Sequence, residues 1–192
     1  MAKASRLLPL LLLAAAALSG CATSFVLDNS VQSFSTLAAV PAQPSYRFER
    51  LPSQQQFQFQ GQVEAMADPA LFRAGLRRDD ATPQLSVQVT ARVQRALSPW
   101  ADPWDGWSGR GWGRHGAFGG PFGRMEQPWF HREVDVVMRD VPTNRVVYET
   151  HAVNDGPWGD NAAVFPAMFH AALEGFPNAP GGPRQVNVKI GN

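Results

Sequence analysis

The feature of this sequence that most constrains its fold is a strict alternation of apolar and polar residues over 85–93. Every odd position is apolar and every even position is polar. Because successive side chains of a strand point to opposite faces of a sheet, this alternation predicts a strand with one face against a core and the other toward water. Shorter alternations over 134–139, 146–149 and 186–190 predict further strands, and clean alternation favours antiparallel pairing.

Two segments carry the wider spacing of a helix with one buried side. In the first, Ser53 is predicted to cap a helix whose core-facing residues are Phe59, Val63 and Met66 and which ends near Gly75. In the second, apolar residues recur three and four positions apart, and a proline is expected in the first turn. The predicted buried residues of this second helix are Phe165, Met168, Phe169, Ala172 and Leu173, and the proline is Pro166.

Together these elements predict an α+β domain of two layers. An early strand within 23–34 and an aromatic strand over 46–49 precede a helix, three strands, a second helix and a final strand. We therefore expect an antiparallel sheet of about five or six strands with the two helices on its dry face. The length of 192 residues fits one such domain, with a long Gly/Trp-rich hairpin loop between two of the strands.

The turn after the second of the three central strands predicts their register. Asn144 stands where a hairpin loop needs a left-handed residue, a conformation that Asn tolerates better than most residues. We expect Asp140 to lie opposite Arg145. The neighbours that follow from this register are His151 beside Val134 and His131 beside Asn154.

The first 20 residues are predicted to be a signal peptide. Lys3 and Arg6 form a short positive region, and the apolar run over 7–17 is shorter than the roughly 20 residues that a membrane-spanning helix needs. Residues 18–21 read Leu-Ser-Gly-Cys, which resembles the lipobox of bacterial lipoproteins, where cleavage exposes a cysteine whose thiol is alkylated by diacylglycerol. Cys21, the single cysteine of the chain, is therefore the predicted lipidation site, and 21–192 is the predicted mature domain.

Lipidation of Cys21 predicts a protein that is tethered to a membrane and does not span it. Two or more acyl chains anchor a protein stably, and no second apolar run approaches spanning length. Ala22 follows the cysteine, and by resemblance to lipoproteins in which Asp at this place retains the protein in the inner membrane, it implies the outer membrane, facing the periplasm. An ordinary secretory signal, cleaved near Ala22 or Ser24, is the alternative.

The charge balance argues against a nucleic-acid partner. The whole chain has 17 Lys and Arg against 16 Asp and Glu, a net charge of +1. Cleavage before Cys21 removes Lys3 and Arg6, which leaves 15 basic against 16 acidic residues and a net charge of −1. Proteins that bind polyanions through bulk electrostatics carry a clear excess of basic residues, so this class is excluded.

An unusual loop over 98–128 holds four of the six Trp and eight Gly between Gly106 and Gly123. One interpretation is a hairpin extension that projects into solvent. A second is ligand binding, in which indole rings stack on the sugar rings of cell-wall glycan or lipopolysaccharide and Arg side chains hold carboxylates or phosphates. A third is contact with lipid headgroups near the acyl anchor. The candidate ligand-binding residues are Trp100, Trp104, Trp107, Trp112, Arg110 and Arg114.

Catalytic and metal-binding patterns are largely missing from the sequence. The four His lack metalloenzyme spacing, a single Cys excludes cysteine-rich metal sites, and no Gly-x-Ser-x-Gly motif occurs. Glu133 and Asp135 are interpreted as the wet face of a strand, and His170 as a partly buried core residue. A metal site formed by His115 with Asp102 or Asp105 stays open as a minor alternative. We predict no enzyme activity, no cofactor and no metal.

The mature chain resembles the bacterial lipoproteins catalogued as a domain of unknown function, number 4136. The resemblance rests on an ordered series of weak motifs behind the lipobox: Asp28 before Phe34-Ser35, Tyr46-Arg47-Phe48, Ala74-Gly75-Leu76, the turn over 140–143 followed by Val146-Val147-Tyr148, and 169–177. Asn144 stands where the family commonly has Gly, and Tyr148 where it commonly has Trp. The resemblance implies the fold and the compartment, and little chemistry.

These observations predict a non-catalytic outer-membrane lipoprotein that acts in envelope binding or assembly. Its expected partners are the membrane, through the acyl chains, and an envelope protein or a glycan. Two alternatives come from other classes. One is a glycan- or peptidoglycan-binding accessory to a cell-wall enzyme that uses the Trp-rich loop. The other is an auxiliary lipoprotein subunit of an export or transport machine.

Overall fold

The computed structural model describes residues 24–37, 39–40, 44–100, 128–178 and 180–191. Its elements confirm the predicted α+β class, with one short strand and one short helix more than the sequence indicated. The strands are β1 (Phe25–Ser35), β2 (Ser45–Phe48), β3 (Arg77–Arg78), β4 (Leu85–Ala96), β5 (Trp129–Asp140), β6 (Val146–Gly156) and β7 (Arg184–Ile190). The helices are α1 (Pro52–Gln55), α2 (Gln60–Arg73) and α3 (Asn161–Leu173).

The strands form one mixed sheet of seven strands in the order β3-β2-β4-β5-β6-β1-β7. Neighbours from β4 to β7 are antiparallel, as predicted, but β2 runs parallel to both β3 and β4. The predicted fully antiparallel sheet of five or six strands is therefore wrong. After β2 the chain crosses the sheet through α2 before it returns as β3 and β4, and a crossover of this kind gives parallel strands. β3 has only two residues, too few for a periodic pattern to show.

The predicted dry face is confirmed and holds the core. Alternate residues of β4 and β5 are buried there, and α2 and α3 pack against each other and cover this face. Burial of this apolar surface provides the main stabilisation of the domain. The buried apolar residues of the two strands are Leu85, Val87 and Val89 on β4 and Val134, Val136 and Met138 on β5. We call the opposite face, most of whose side chains keep solvent exposure, the open face.

The buried side of α2 is shifted by one position along the sequence from the predicted side. Phe59 precedes the helix and is exposed, whereas Gln60 and Glu64 are buried. Their polar atoms have partners: Gln60 Nε2 donates to the Val89 carbonyl at 3.1 Å, and Glu64 accepts two hydrogen bonds from Arg50 at 2.6 and 2.7 Å. Apolar spacing alone predicts a buried face without polar residues, so burial of Gln60 and Glu64 shifts the observed face of α2 away from the predicted one.

α3 begins earlier than predicted. Asp160 caps its first turn by accepting hydrogen bonds from the backbone N–H groups of Ala162 and Ala163 at 3.0 and 3.3 Å. Pro166 consequently lies in the second turn, where it removes one helical hydrogen bond, and the predicted first-turn position is wrong. The predicted buried residues are all buried, namely Phe165, Met168, Phe169, Ala172 and Leu173.

The turn between β5 and β6 confirms Asn144 as a left-handed residue, with φ of 55°. The predicted register beyond it is wrong by one residue, because Met138 pairs with Tyr148 while Arg139 pairs with Val146. Val147 is thus an extra residue, a β-bulge that reverses the alternation and leaves Val146 exposed. The observed neighbours are His151 beside Asp135 and His131 beside Asp155.

β4 and β5 are paired as far as Ala96 and Trp129, so 97–128 connects the strands of a hairpin. Residues 101–127 of this connection lie outside the described residues. In the part of the chain that the structure describes, no helix combines the length and apolarity needed to cross a bilayer.

Candidate functional site

The structure describes one of the site residues that the sequence predicts. Trp100 follows β4, and its side chain is 88% exposed. Its backbone N–H donates to the Ser98 hydroxyl at 3.2 Å, and its indole is accessible to a ligand or a surface. The other predicted site residues lie outside the described residues, namely Cys21, Trp104, Trp107, Arg110, Trp112 and Arg114.

On the open face, His131 lies between two carboxylates. Its Nδ1 is 2.8 Å from an Asp155 oxygen, and its Nε2 is 3.1 Å from a Glu133 oxygen. The hydrogen bond to Asp155, followed by the one to Glu133, raises the pKa of His131 above its ordinary value. Both ring nitrogens donate when the ring is protonated, so this arrangement favours the imidazolium form.

A second pair lies one row along the sheet. His151 Nδ1 is 2.6 Å from one oxygen of Asp135, and the Thr90 hydroxyl donates to the other oxygen at 2.6 Å. The register continues this row across four strands, from Thr90 on β4 through Asp135 and His151 to Gln32 on β1. We call these four residues together with His131, Glu133 and Asp155 the open-face cluster.

The open-face cluster brings two His and three acidic residues together with Thr90 and Gln32 on one side of the sheet. Within it, the Thr90 hydroxyl donates to the carboxylate of Asp135 and not to an imidazole. Among the described residues, no three His, Cys, Asp or Glu side chains are grouped so that they could hold a metal ion. What the cluster offers is a set of charged and hydrogen-bonding groups in fixed positions on an accessible sheet surface.

A different polar row lies on the covered face. Arg132 is fully buried, and in the register of the sheet it pairs with the buried Asn154. Asn29 on β1 is also buried and donates to the Val186 carbonyl at 3.1 Å, while Asn154 donates to the Asp28 carbonyl at 2.9 Å. We call Arg132, Asn154 and Asn29 the buried row.

Arg132 joins β5 to the segment that precedes α3. Its Nε donates to Asn161 Oδ1 at 2.8 Å, and its Nη2 donates to the Trp158 carbonyl. No carboxylate pairs with it among the described residues, and its Nη1 has no partner there. Desolvation lowers the pKa of Arg132. Burial of a charge without a counter-ion is costly, so the hydrogen bonds to Asn161 and Trp158 are needed to offset part of the cost of desolvating Arg132. The same bonds connect β5 to the segment before α3.

The sequence predicts parts of the open-face cluster and of the buried row. Glu133 and Asp135 are confirmed on the wet face, and His131 shares it by alternation on the same strand. The pairs Asp135–His151 and His131–Asp155 were not predicted, because the bulge at Val147 shifts the register between β5 and β6. The buried position of Arg132 had a signal, since the alternation of Val134 and Val136 extends backward to it. Charged residues are rarely fully buried, so the alternation alone does not predict that Arg132 lies in the core.

The fold and these polar groups define an α+β domain with one face covered by helices and one face open. The family described as "Domain of unknown function (DUF4136)" matches residues 30–178, and the chain therefore belongs to this family, which confirms the predicted resemblance. Among curated proteins, none has a significant match to this sequence.

Solved structures provide further comparisons. A PDZ domain protein from Parabacteroides distasonis is 15% identical with a TM-score of 0.50, and the match covers 88% of this chain and 39% of that one. This likeness shows the fold alone. The PelC dodecamer from Paraburkholderia phytofirmans in space group P6 is 11% identical, with a TM-score of 0.48 and coverage of 76% and 94%. A substituted PelC dodecamer in space group C2 is 12% identical, with a TM-score of 0.45 and the same coverage.

Proposed function

We propose that this chain is an outer-membrane lipoprotein, anchored through Cys21 and facing the periplasm, that acts by binding or assembly and catalyses no reaction. The observation that carries the anchor is the chain's single cysteine directly after Leu-Ser-Gly at the end of an apolar run. This arrangement supplies a thiol for acylation at the place where a lipoprotein requires it. Ala22 is compatible with transfer to the outer membrane.

The open face supports the binding role. It presents acidic residues and two His at fixed positions, tied to one another by hydrogen bonds between 2.6 and 3.1 Å. Side chains held in this way lose little further freedom when a partner binds, which favours affinity. A partner with basic or hydrogen-bond-donating groups would complement the acidic members Glu133, Asp135 and Asp155.

Metabolic labelling with a fatty acid tests the anchor. The wild-type protein is expected to incorporate the label, and Cys21→Ser is expected to lose it. A matched control combines Cys21→Ser with Ser24→Cys, which keeps one thiol but moves it three positions, and it should also remain unlabelled. Incorporation into Cys21→Ser would overturn the anchor.

Crosslinking in cells followed by purification tests the binding role. We expect Glu133→Gln combined with Asp135→Asn to reduce recovery of the crosslinked partner, because both changes remove charge from the open face. Gln62→Ala on the exposed side of α2 is the control and should leave recovery unchanged. Equal recovery from all three proteins would contradict binding through the open face.

The exposed Trp100 favours a second candidate function, a glycan-binding accessory role. An indole that is 88% exposed is available to stack on a sugar ring. Retention on purified peptidoglycan should then fall when Trp100, Trp104, Trp107 and Trp112 are replaced by Ala. Unchanged retention would eliminate this candidate and leave the proposal above in place.

A further inference from the structure

The topology of the sheet collects aromatic residues at one end of the domain. β4 ends and β5 begins at the paired residues Ala96 and Trp129, and Phe130 next to them pairs with Gly156 at the end of β6. The first residue of β1, Phe25, stacks on Trp158 with ring centroids 4.0 Å apart. Four chain segments that are distant in sequence therefore meet at this end.

Several apolar side chains at this end remain exposed. Leu97, which directly follows β4, is 84% exposed, and Trp100, three residues further along the chain, is 88% exposed. Val26 at the start of β1 is 53% exposed, and Trp158 beside Phe25 is 36% exposed. Gly156 makes room for this indole, since a Cβ atom there would lie 3.1 Å from Trp158 Cδ1.

The proposed anchor lies next to the same end. Cys21 precedes Phe25 by four residues, so a fully extended chain separates the two Cα atoms by at most about 14 Å. A tether this short keeps the start of β1 close to the bilayer surface. It also keeps the other segments of that end close to it, because the paired strands hold them beside the start of β1.

We infer that this end of the domain is a membrane-docking surface, which we call the anchor end: Val26, Leu97, Trp100 and Trp158. Its partner is the lipid headgroup layer of the membrane that holds Cys21, and the inference rests on the proposed lipidation. Trp is the side chain that favours this interface, because its ring is apolar while its N–H can hydrogen-bond. Leu97 and Val26 add apolar surface that the interfacial region removes from water.

Docking fixes the orientation of the domain on the membrane. With the anchor end against the bilayer, the strands run away from it and the turn over 140–145 lies at the opposite end of β5 and β6. The open face and the helix-covered face then both stand free of the lipid. The surface proposed to bind a partner is consequently presented sideways and is accessible to neighbouring envelope components.

A chemical tether tests the docking independently of acylation in the cell. The chain from Cys21 onward contains every described residue, and its only thiol can be coupled to a maleimide lipid in vesicles of phosphatidylethanolamine and phosphatidylglycerol. The reference is the same chain with its thiol blocked by a small soluble maleimide. Amide hydrogen exchange is then compared between the two by mass spectrometry, peptide by peptide.

We expect exchange in 95–100 to slow by at least about fivefold on the vesicle, while 140–147 stays unchanged. Leu97→Ser with Trp100→Ser should abolish the slowing. Val141→Ser with Val146→Ser, an exposed apolar pair at the opposite end, should retain it. No slowing at 95–100, or equal slowing at both ends, would overturn the inference.

Protein density on the vesicle separates lipid contact from contact between copies. Slowing that persists when the tethered chains are diluted among unmodified lipids supports docking to lipid. Slowing that vanishes on dilution would overturn it in favour of self-association. Failure of fatty-acid labelling in cells would instead refute the anchor, and it would not change this vesicle measurement.

Discussion

The two faces of the central sheet both carry polar residues across several strands, but in opposite surroundings. On the covered face, Arg132 and its Asn neighbours lie among apolar side chains and bond mainly to backbone carbonyls. On the open face, His131 and His151 bond to carboxylates and keep contact with water. The covered row holds segments of the protein together, whereas the open cluster leaves charges available to a partner.

Polarity alone therefore does not identify a surface that is available to a partner. Polar groups in the buried row gain most from fixed partners, because an unsatisfied group in a core is costly. The same groups in water gain little, since exposed ion pairs contribute between 0 and about 1 kcal/mol. Substitutions should therefore affect stability on the covered face and binding on the open face.

The largest expected effect on the free energy of unfolding comes from one of two substitutions at adjacent residues of β5, in which an apolar residue becomes charged and a charged residue becomes apolar. Val134→Asp places a charge in the core and should cost more than about 4 kcal/mol, enough to unfold a marginally stable domain. Asp135→Val, one residue away on the open face, should change the free energy of unfolding by less than about 1 kcal/mol. Urea denaturation checks both, and similar losses would contradict the assignment of the faces.

Removal of the buried guanidinium should have the next largest effect. Arg132→Ala leaves the Trp158 carbonyl and Asn161 Oδ1 without their donor and opens a cavity, so we expect a loss of about 3 kcal/mol. Arg132→Met fills more of that volume and removes the uncompensated charge, and it should cost about 1 kcal/mol. Equal stability of Arg132→Ala and wild type in urea would show that the side chain does not hold the segment before α3.

Loss of the carboxylate of Asp135 should have a small effect on stability. Asp135→Asn weakens the hydrogen bonds to His151 and Thr90, which lie on the open face, and should cost about 0.5 kcal/mol. Thermal denaturation at two salt concentrations measures this, because screening weakens exposed charge pairs. A loss above about 2 kcal/mol would mean that the pair behaves as a buried one.

The smallest effect is a pH dependence from His131. The pKa of His131 is raised in the folded protein by Asp155 and Glu133, so its stabilisation is complete below the ordinary value of 6.5 and is lost as the pH rises through the folded pKa. Wild type should exceed His131→Gln in stability by about 0.5 kcal/mol near pH 5.5 and by less near pH 9. A difference that grew with pH would contradict the sign.

Much of this fold could be predicted from periodicity. The alternation along β4 and β5 and the spacing in α3 predict the correct faces, because the buried positions there are apolar apart from Ser86 and Arg132. The face of α2 could not be found in this way, since Gln60 and Glu64 are buried through partners that only the tertiary structure supplies. The parallel β2 was missed for the same reason, because pairing direction depends on where the crossover returns the chain.

Only part of the open-face cluster could be predicted from the sequence. Glu133 and Asp135 follow from strand alternation, as does His131 on the same strand. The pairing of Asp135 with His151 and of His131 with Asp155 depends on one extra residue at Val147. Nothing in the sequence around Val147 indicates a bulge. A register shift of one residue changes which side chains are neighbours across the two strands, so the cross-strand pairs could not be predicted.

Photocrosslinking from defined positions tests most directly whether the open face binds a partner. A photoreactive amino acid at Gln32 or Gln88, both partly exposed on the open face, is compared in cells with one at Gln62 or Ala65 on the exposed side of α2. We predict that the open-face positions give a discrete crosslinked adduct and that the helix positions do not. An adduct from the helix positions with none from the open face would contradict binding through the open face.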